Sequence, residues 1–145
     1  MSDIETADRI SRSRARIIPV LAVIFLTGQA AYFSQTDAGR TVDHVRIGAW
    51  FVWSLVLLTF LATGGGFIHS KRVRALMNDE VTRANRMKAY AVGFWAVAAS
   101  LLGLYVVALF DQVSGRDAIH ISLSAGIAAA LLTFGFLERR ALKDG

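Results

Sequence analysis

Two Gly-Arg-x-x-x-His segments carry the strongest hint of chemistry in this chain: Gly39-Arg40 with His44, and Gly115-Arg116 with His120. A pair of imidazoles can ligate a haem. With Asp43 and Asp117 they could hold a divalent cation. The same spacing also suits an interfacial histidine near a helix N-terminus, hydrogen-bonded to loop carbonyls or water. The further carboxylates or cysteines of a closed site are missing from the pattern, which favours the interfacial account. Arg46 and the bulky Trp50, Phe51 and Trp53 crowd the space a macrocycle would need. His44 and His120 are therefore expected at the same end of the molecule, without haem, metal or other cofactor. His69 falls at the opposite end and cannot join them.

Other chemistry finds little support. The chain has no cysteine, so disulfides, thiolate zinc sites, iron–sulfur ligands and S-acylation are ruled out. No nucleophile–base pair, Gly-rich phosphate loop or zinc motif occurs. No catalytic residues, and no enzyme, are expected.

The elements that position the histidines are four uncharged apolar stretches: 17–36, 47–68, 89–110 and 118–137. A hydrocarbon core ~30 Å thick needs ~20 such residues as helix. Lipid cannot satisfy backbone polar groups, so each crossing must be helical. A soluble bundle would show a polar face on every helix, and Ile47–Leu61 shows none. The expected fold is all-α, an integral membrane four-helix bundle forming one domain over residues 1–145. Trp50, Trp53, Trp95, Tyr32, Tyr90 and Tyr105 suit interfacial anchors.

Lys and Arg set the orientation. Thirteen lie before the first stretch, between the second and third, and after the fourth. Only Arg40, Arg46 and Arg116 lie in the other two connections, which completes the sixteen. The positive-inside bias then predicts cytoplasmic N and C termini in a multi-pass protein of the bacterial inner membrane. The net charge of +5 reflects that bias, with attraction to anionic headgroups, and is not a nucleic-acid footprint. Reading 17–27 as a cleaved secretory signal before Gly28-Gln29-Ala30 is disfavoured by Asp3, Glu5 and Asp8 upstream. The ionisable groups inside the uncharged stretches reduce to His120. Small four-span multidrug transporters carry a glutamate in the first span, and this chain has no counterpart.

The halves resemble each other. At an offset of 76 residues, Asp3, Thr6, Ala15, Ala22 and Leu26 meet Asp79, Thr82, Ala91, Ala98 and Leu102. The Gly-Arg-x-x-x-His segments coincide, and Ala49, Leu55, Phe60 and Leu61 meet Ala125, Leu131, Phe136 and Leu137. This suggests two parallel-repeat helical hairpins, 3–76 and 79–142, related about the membrane normal.

Local signals add detail. Pro19 is read at the start of the first span, where its missing N–H costs little. Ser114 with Asp117 reads as an N-cap. The second and third helices are expected to protrude as a basic hairpin, and the third to begin near Asn78–Glu80. Gly64-Gly65-Gly66 reads as close helix packing rather than a hinge. Ser122, Gly126 and Ala130 on the fourth span, and Ala96, Ser100 and Gly103 on the third, form small-residue stripes. Such stripes also serve homodimers. Gln29 is expected to hydrogen-bond between helices.

The stretch Leu76-Met77-Asn78-Asp79-Glu80-Val81-Thr82-Arg83-Ala84-Asn85-Arg86, then Gly93-Phe94-Trp95, and the ending Leu137-Glu138-Arg139-Arg140-Ala141-Leu142 resemble small four-span bacterial inner-membrane proteins of uncharacterised function. Some of those are encoded beside small helix-turn-helix regulators. The resemblance covers the second half of the chain. It implies a regulatory membrane partner that sequesters a cytoplasmic protein. The leading expectation is thus a non-enzymatic regulatory or accessory protein of the lipid bilayer. Its cytoplasmic hairpin, with Arg72, Arg74, Asp79, Glu80, Arg83 and Arg86, would bind the partner. The rivals are an oligomeric small transporter or channel, and a haem- or quinone-binding subunit of a redox complex.

Overall fold

The computed structural model describes residues 3–34, 40–64 and 80–144. They form four helices: α1 (Asp3–Ser34), α2 (Arg40–Thr63), α3 (Glu80–Val107) and α4 (Gly115–Asp144). All four are long and apolar enough to cross a membrane. The 32 residues of α1 reach roughly 48 Å at 1.5 Å per residue, well beyond a ~30 Å hydrocarbon core.

α4 is the centre of the bundle. It packs along α3 and along α1, and meets α2 over a shorter contact. Its inner face recurs every three or four residues, as one side of a helix must: His120, Ser124, Ile127, Leu131, Phe134 and Glu138, all buried. α1 faces it with Arg14, Ile18, Ala22 and Phe25, and α2 contributes Ser54, Leu57 and Leu61. α3 contributes Thr82, Asn85, Ala89 and Gly93. The middle of the bundle is therefore apolar, and its two ends carry buried polar groups.

The outer surface is also apolar: Phe94, Trp95, Leu102 and Tyr105 on α3 are exposed. In lipid such a surface gives no hydrophobic drive to association. Close packing and interhelical hydrogen bonds must hold the helices together.

The closest packing is between α3 and α4. A Cβ on Gly93 would lie 3.0 Å from both the Ala130 Cβ and the Gly126 carbonyl oxygen. A Cβ on Gly126 would run into the Val97 side chain and lie 3.1 Å from the Gly93 carbonyl oxygen. The small stripe of α4 is thus used as expected, but its partner differs. α3 turns Ala89, Gly93 and Val97 inward rather than the stripe of Ala96, Ser100 and Gly103. Space over Gly103 is open.

Two local expectations are corrected. α2 ends at Thr63. Gly64 adopts φ 63°, the left-handed conformation that ends helices and that glycine enters without a Cβ clash. Gly64 is thus a helix terminator; Gly65, Gly66 and the expected protruding end of this helix lie outside the described residues. Pro19 is inside α1, because the helix begins at Asp3. A mid-helix proline deprives the carbonyl four residues earlier of its donor. That carbonyl belongs to Ala15, and Arg139 Nε of α4 donates to it at 2.9 Å. The proline ring lies against Gly135, where a Cβ would come within 2.7 Å of Pro19 Cγ. At the start of α4, the Ser114 hydroxyl accepts from the Asp117 N–H at 3.1 Å and donates to its carboxylate at 2.6 Å. This is the expected cap.

Candidate functional site

The buried polar groups divide between the two ends of the bundle. At the end where α1 begins, Arg14 and Glu138 form a salt bridge with both side chains nearly fully buried. Arg14 Nη1 also donates to the Gly64 carbonyl at 3.0 Å, and Nη2 to the Thr82 hydroxyl at 3.2 Å. Asn85 Nδ2 donates to the other Glu138 oxygen at 3.1 Å. The guanidinium carbon lies 5.5 Å from the centre of the Phe134 ring. One cation therefore touches α1, the end of α2, α3 and α4. Arg14 Nε has no hydrogen-bond partner among the described residues. Desolvating two charges is costly, and added hydrogen bonds of this kind offset that cost.

The sequence reading misses this cluster. Both residues lie just beyond the uncharged stretches, so Arg14 counts as a flanking charge and Glu138 stands out only as part of the ending Leu137–Leu142. The available signal is phase: Arg14 continues the stripe of Ile18, Ala22 and Phe25, and Glu138 that of Leu131 and Phe134. Both fall within helices that qualify as spans, so His120 is not their only ionisable group.

At the opposite end, His120 is 3% exposed. Its ring lies between Tyr32, with centroids 4.5 Å apart and planes at 18°, and Trp50, at 4.3 Å and 19°. Nε2 of His120 meets Gln29 Oε1 at 2.5 Å, so Gln29 does bridge helices as expected. Gln29 Nε2 in turn donates to the Phe25 carbonyl at 3.3 Å. Trp50 Nε1 donates to Ser124 Oγ at 3.0 Å. His120 is thus buried within the bundle, stacked on both faces and bonded to Gln29. His44 is exposed at the start of α2. Asp117 is engaged in the α4 cap, and among the described residues no three His, Asp or Glu side chains converge.

A cleft of about 530 Å³ opens beside this stack, between α1 and α2. Tyr32, Trp50 and Trp53 wall it, His120 and Gln29 meet it from below, and Arg46 contributes to its lining. The Arg46 guanidinium lies 5.2 Å from the Tyr32 ring centre.

The expected partner-binding residues separate. Arg72, Arg74 and Asp79 lie outside the described residues, as does His69. Glu80 and Arg83 are exposed at the start of α3. Arg86 is half-buried and donates to the Ala62 carbonyl at 2.8 Å, near the end of α2. No family model, curated protein or solved structure matches this chain.

Proposed function

We propose that this chain is a non-enzymatic protein of the bacterial inner membrane that acts as a regulatory or accessory partner of another protein. Both termini and the α2–α3 connection face the cytoplasm, and the two hairpins are parallel repeats. The observation that carries the reading is how polar groups are used at the α1-start end. Arg14, Thr82, Asn85 and Glu138 bond to one another. Glu80 and Arg83, one helical turn apart on α3, point away from the bundle. They offer exposed charges of both signs to a cytoplasmic regulator; Arg72, Arg74 and Asp79, the other residues assigned to this role from the sequence, lie outside the described residues.

Two further features favour an accessory role over transport or redox work. Phe25, Leu57, Leu61, Leu131 and Phe134 are buried between the two polar ends, so a polar path through one bundle is interrupted. Nε2 of His120 is engaged by Gln29 Oε1 within the bundle, which disfavours haem ligation.

Co-purification from native membranes tests the reading. A cytoplasmic protein is expected to be captured by the wild type and lost with a Glu80→Lys, Arg83→Glu double variant that still inserts. Capture unchanged by that variant would refute the assigned surface. Reporter fusions at Asp37 and Ser114 are expected to read periplasmic, and fusions at Asn78 and Gly145 cytoplasmic. A cytoplasmic signal at Ser114 would sink the orientation.

A further inference from the structure

We infer that the cleft between α1 and α2 is a binding site for an anionic phospholipid, with Arg46 holding the phosphodiester. The inference rests on the membrane reading of the bundle, and goes beyond it by naming a site and an occupant.

The size and lining suit a ligand. About 530 Å³ lies within the range of small-molecule sites, which combine apolar walls with a few polar groups and often sit between helices. The walls are Tyr32, Trp50 and Trp53, the residue types that favour the boundary between headgroups and hydrocarbon. Gly28, Ala31 and Ala49 make the remaining lining shallow. A Cβ on Gly28 would meet nothing within 4 Å, which leaves room for an acyl chain.

The polar atoms decide the chemistry. Those beneath the cleft are already engaged: Gln29 with His120 and Phe25, and Trp50 with Ser124. That leaves Arg46. Its Nη2 makes two long bonds, to the Ala31 and Tyr32 carbonyls at 3.4 and 3.5 Å. Its Nε and Nη1 have no hydrogen-bond partner among the described residues. Among the described residues that line the cleft, Arg46 carries a positive charge and none is a carboxylate. A guanidinium offers paired donors that match phosphate oxygens.

Depth agrees with this assignment. Arg46 directly precedes the apolar run that opens at Ile47, so it stands at headgroup level while Trp50 and Trp53 reach deeper. It is also one of only three basic residues in the two connections that are otherwise poor in Lys and Arg. Orientation alone gives no reason for a cation there.

Tryptophan quenching by brominated lipids in reconstituted vesicles tests the site. The protein has three tryptophans, and Trp95 is exposed on α3, away from the cleft. A Trp95→Phe variant therefore confines emission to Trp50 and Trp53. Brominated phosphatidylglycerol, titrated into phosphatidylcholine, is expected to quench saturably, at a mole fraction several-fold below that needed with brominated phosphatidylcholine. Arg46→Gln is expected to move the phosphatidylglycerol curve onto the phosphatidylcholine curve. Gly28→Leu, whose Cβ would enter open space and whose side chain would occupy the cleft, is expected to abolish the saturable component. Identical, non-saturating curves for the two lipids would overturn the proposal. So would release of the quenching by millimolar inorganic phosphate, which would identify free phosphate as the occupant. Absence of quenching by either lipid would refute the membrane reading itself.

Discussion

The hairpin of α3 and α4 is closed, whereas that of α1 and α2 is open, although an offset of 76 brings identical residues of the two into register at twelve places. Gly93, Gly126 and Ala130 bring α3 and α4 nearly backbone to backbone. The aligned positions in the first hairpin are Ile17, Trp50 and Ser54. Two of these are too bulky for such an approach, and among the described residues α1 and α2 make no comparable contact. The indole of Trp50 instead stacks on His120 and walls the cleft. The histidines differ in the same way: His120 is buried in the stack, and His44 is exposed. Matching span length and hydropathy thus leaves the packing open. Side-chain volume at a few inward positions decides whether a hairpin closes or leaves a binding space.

The largest test of this comparison is the salt bridge that ties the open hairpin to the closed one. Arg14→Ala or Glu138→Ala is expected to lower stability by about 4 kcal/mol, because each strands a buried charge. The double variant should lose less than the sum of the two, since the stranded charge is then gone. Reversible unfolding in mixed micelles would measure this, and strict additivity would show that the pair does not couple the hairpins.

Glycine replacements contrast the two hairpins directly. Gly93→Leu or Gly126→Leu is expected to cost about 3 kcal/mol by forcing α3 and α4 apart. Gly28→Ala and Gly48→Ala each place a Cβ in open space and should stay within about 0.5 kcal/mol. Equal losses at all four sites would erase the distinction.

The histidines give a smaller contrast. His120→Ala leaves Gln29 Oε1 without its partner and removes the centre of the stack, for about 2 kcal/mol. His44→Ala should change stability by less than about 0.5 kcal/mol. The wild type is expected to show no Soret band. A band that vanished in the double variant would promote the redox-subunit alternative.

The smallest effect concerns Pro19. Arg139→Gln should cost about 1 kcal/mol, by removing the donor to the Ala15 carbonyl. In a Pro19→Ala background the restored N–H of residue 19 can take that carbonyl, and the same substitution should cost less. An unchanged cost would mean that Arg139 does not compensate for the proline.

The sequence by itself determined the helical class and four segments able to cross a membrane, because each needs only an uninterrupted apolar run of sufficient length. It also determined the Ser114–Asp117 cap, whose partners are three residues apart, and the interhelical use of Gln29. The tertiary structure decided which charges turn inward. Arg12 and Arg14 are alike as flanking charges, yet Arg12 pairs with Asp8 at the surface while Arg14 is buried against Glu138. It also decided that α3 presents Gly93 and Val97 rather than Ser100 and Gly103, and that Ala15 borrows a donor from α4. Hydropathy averages over all faces of a helix, whereas burial depends on rotation about its axis. That rotation has meaning only once a neighbouring helix is in place.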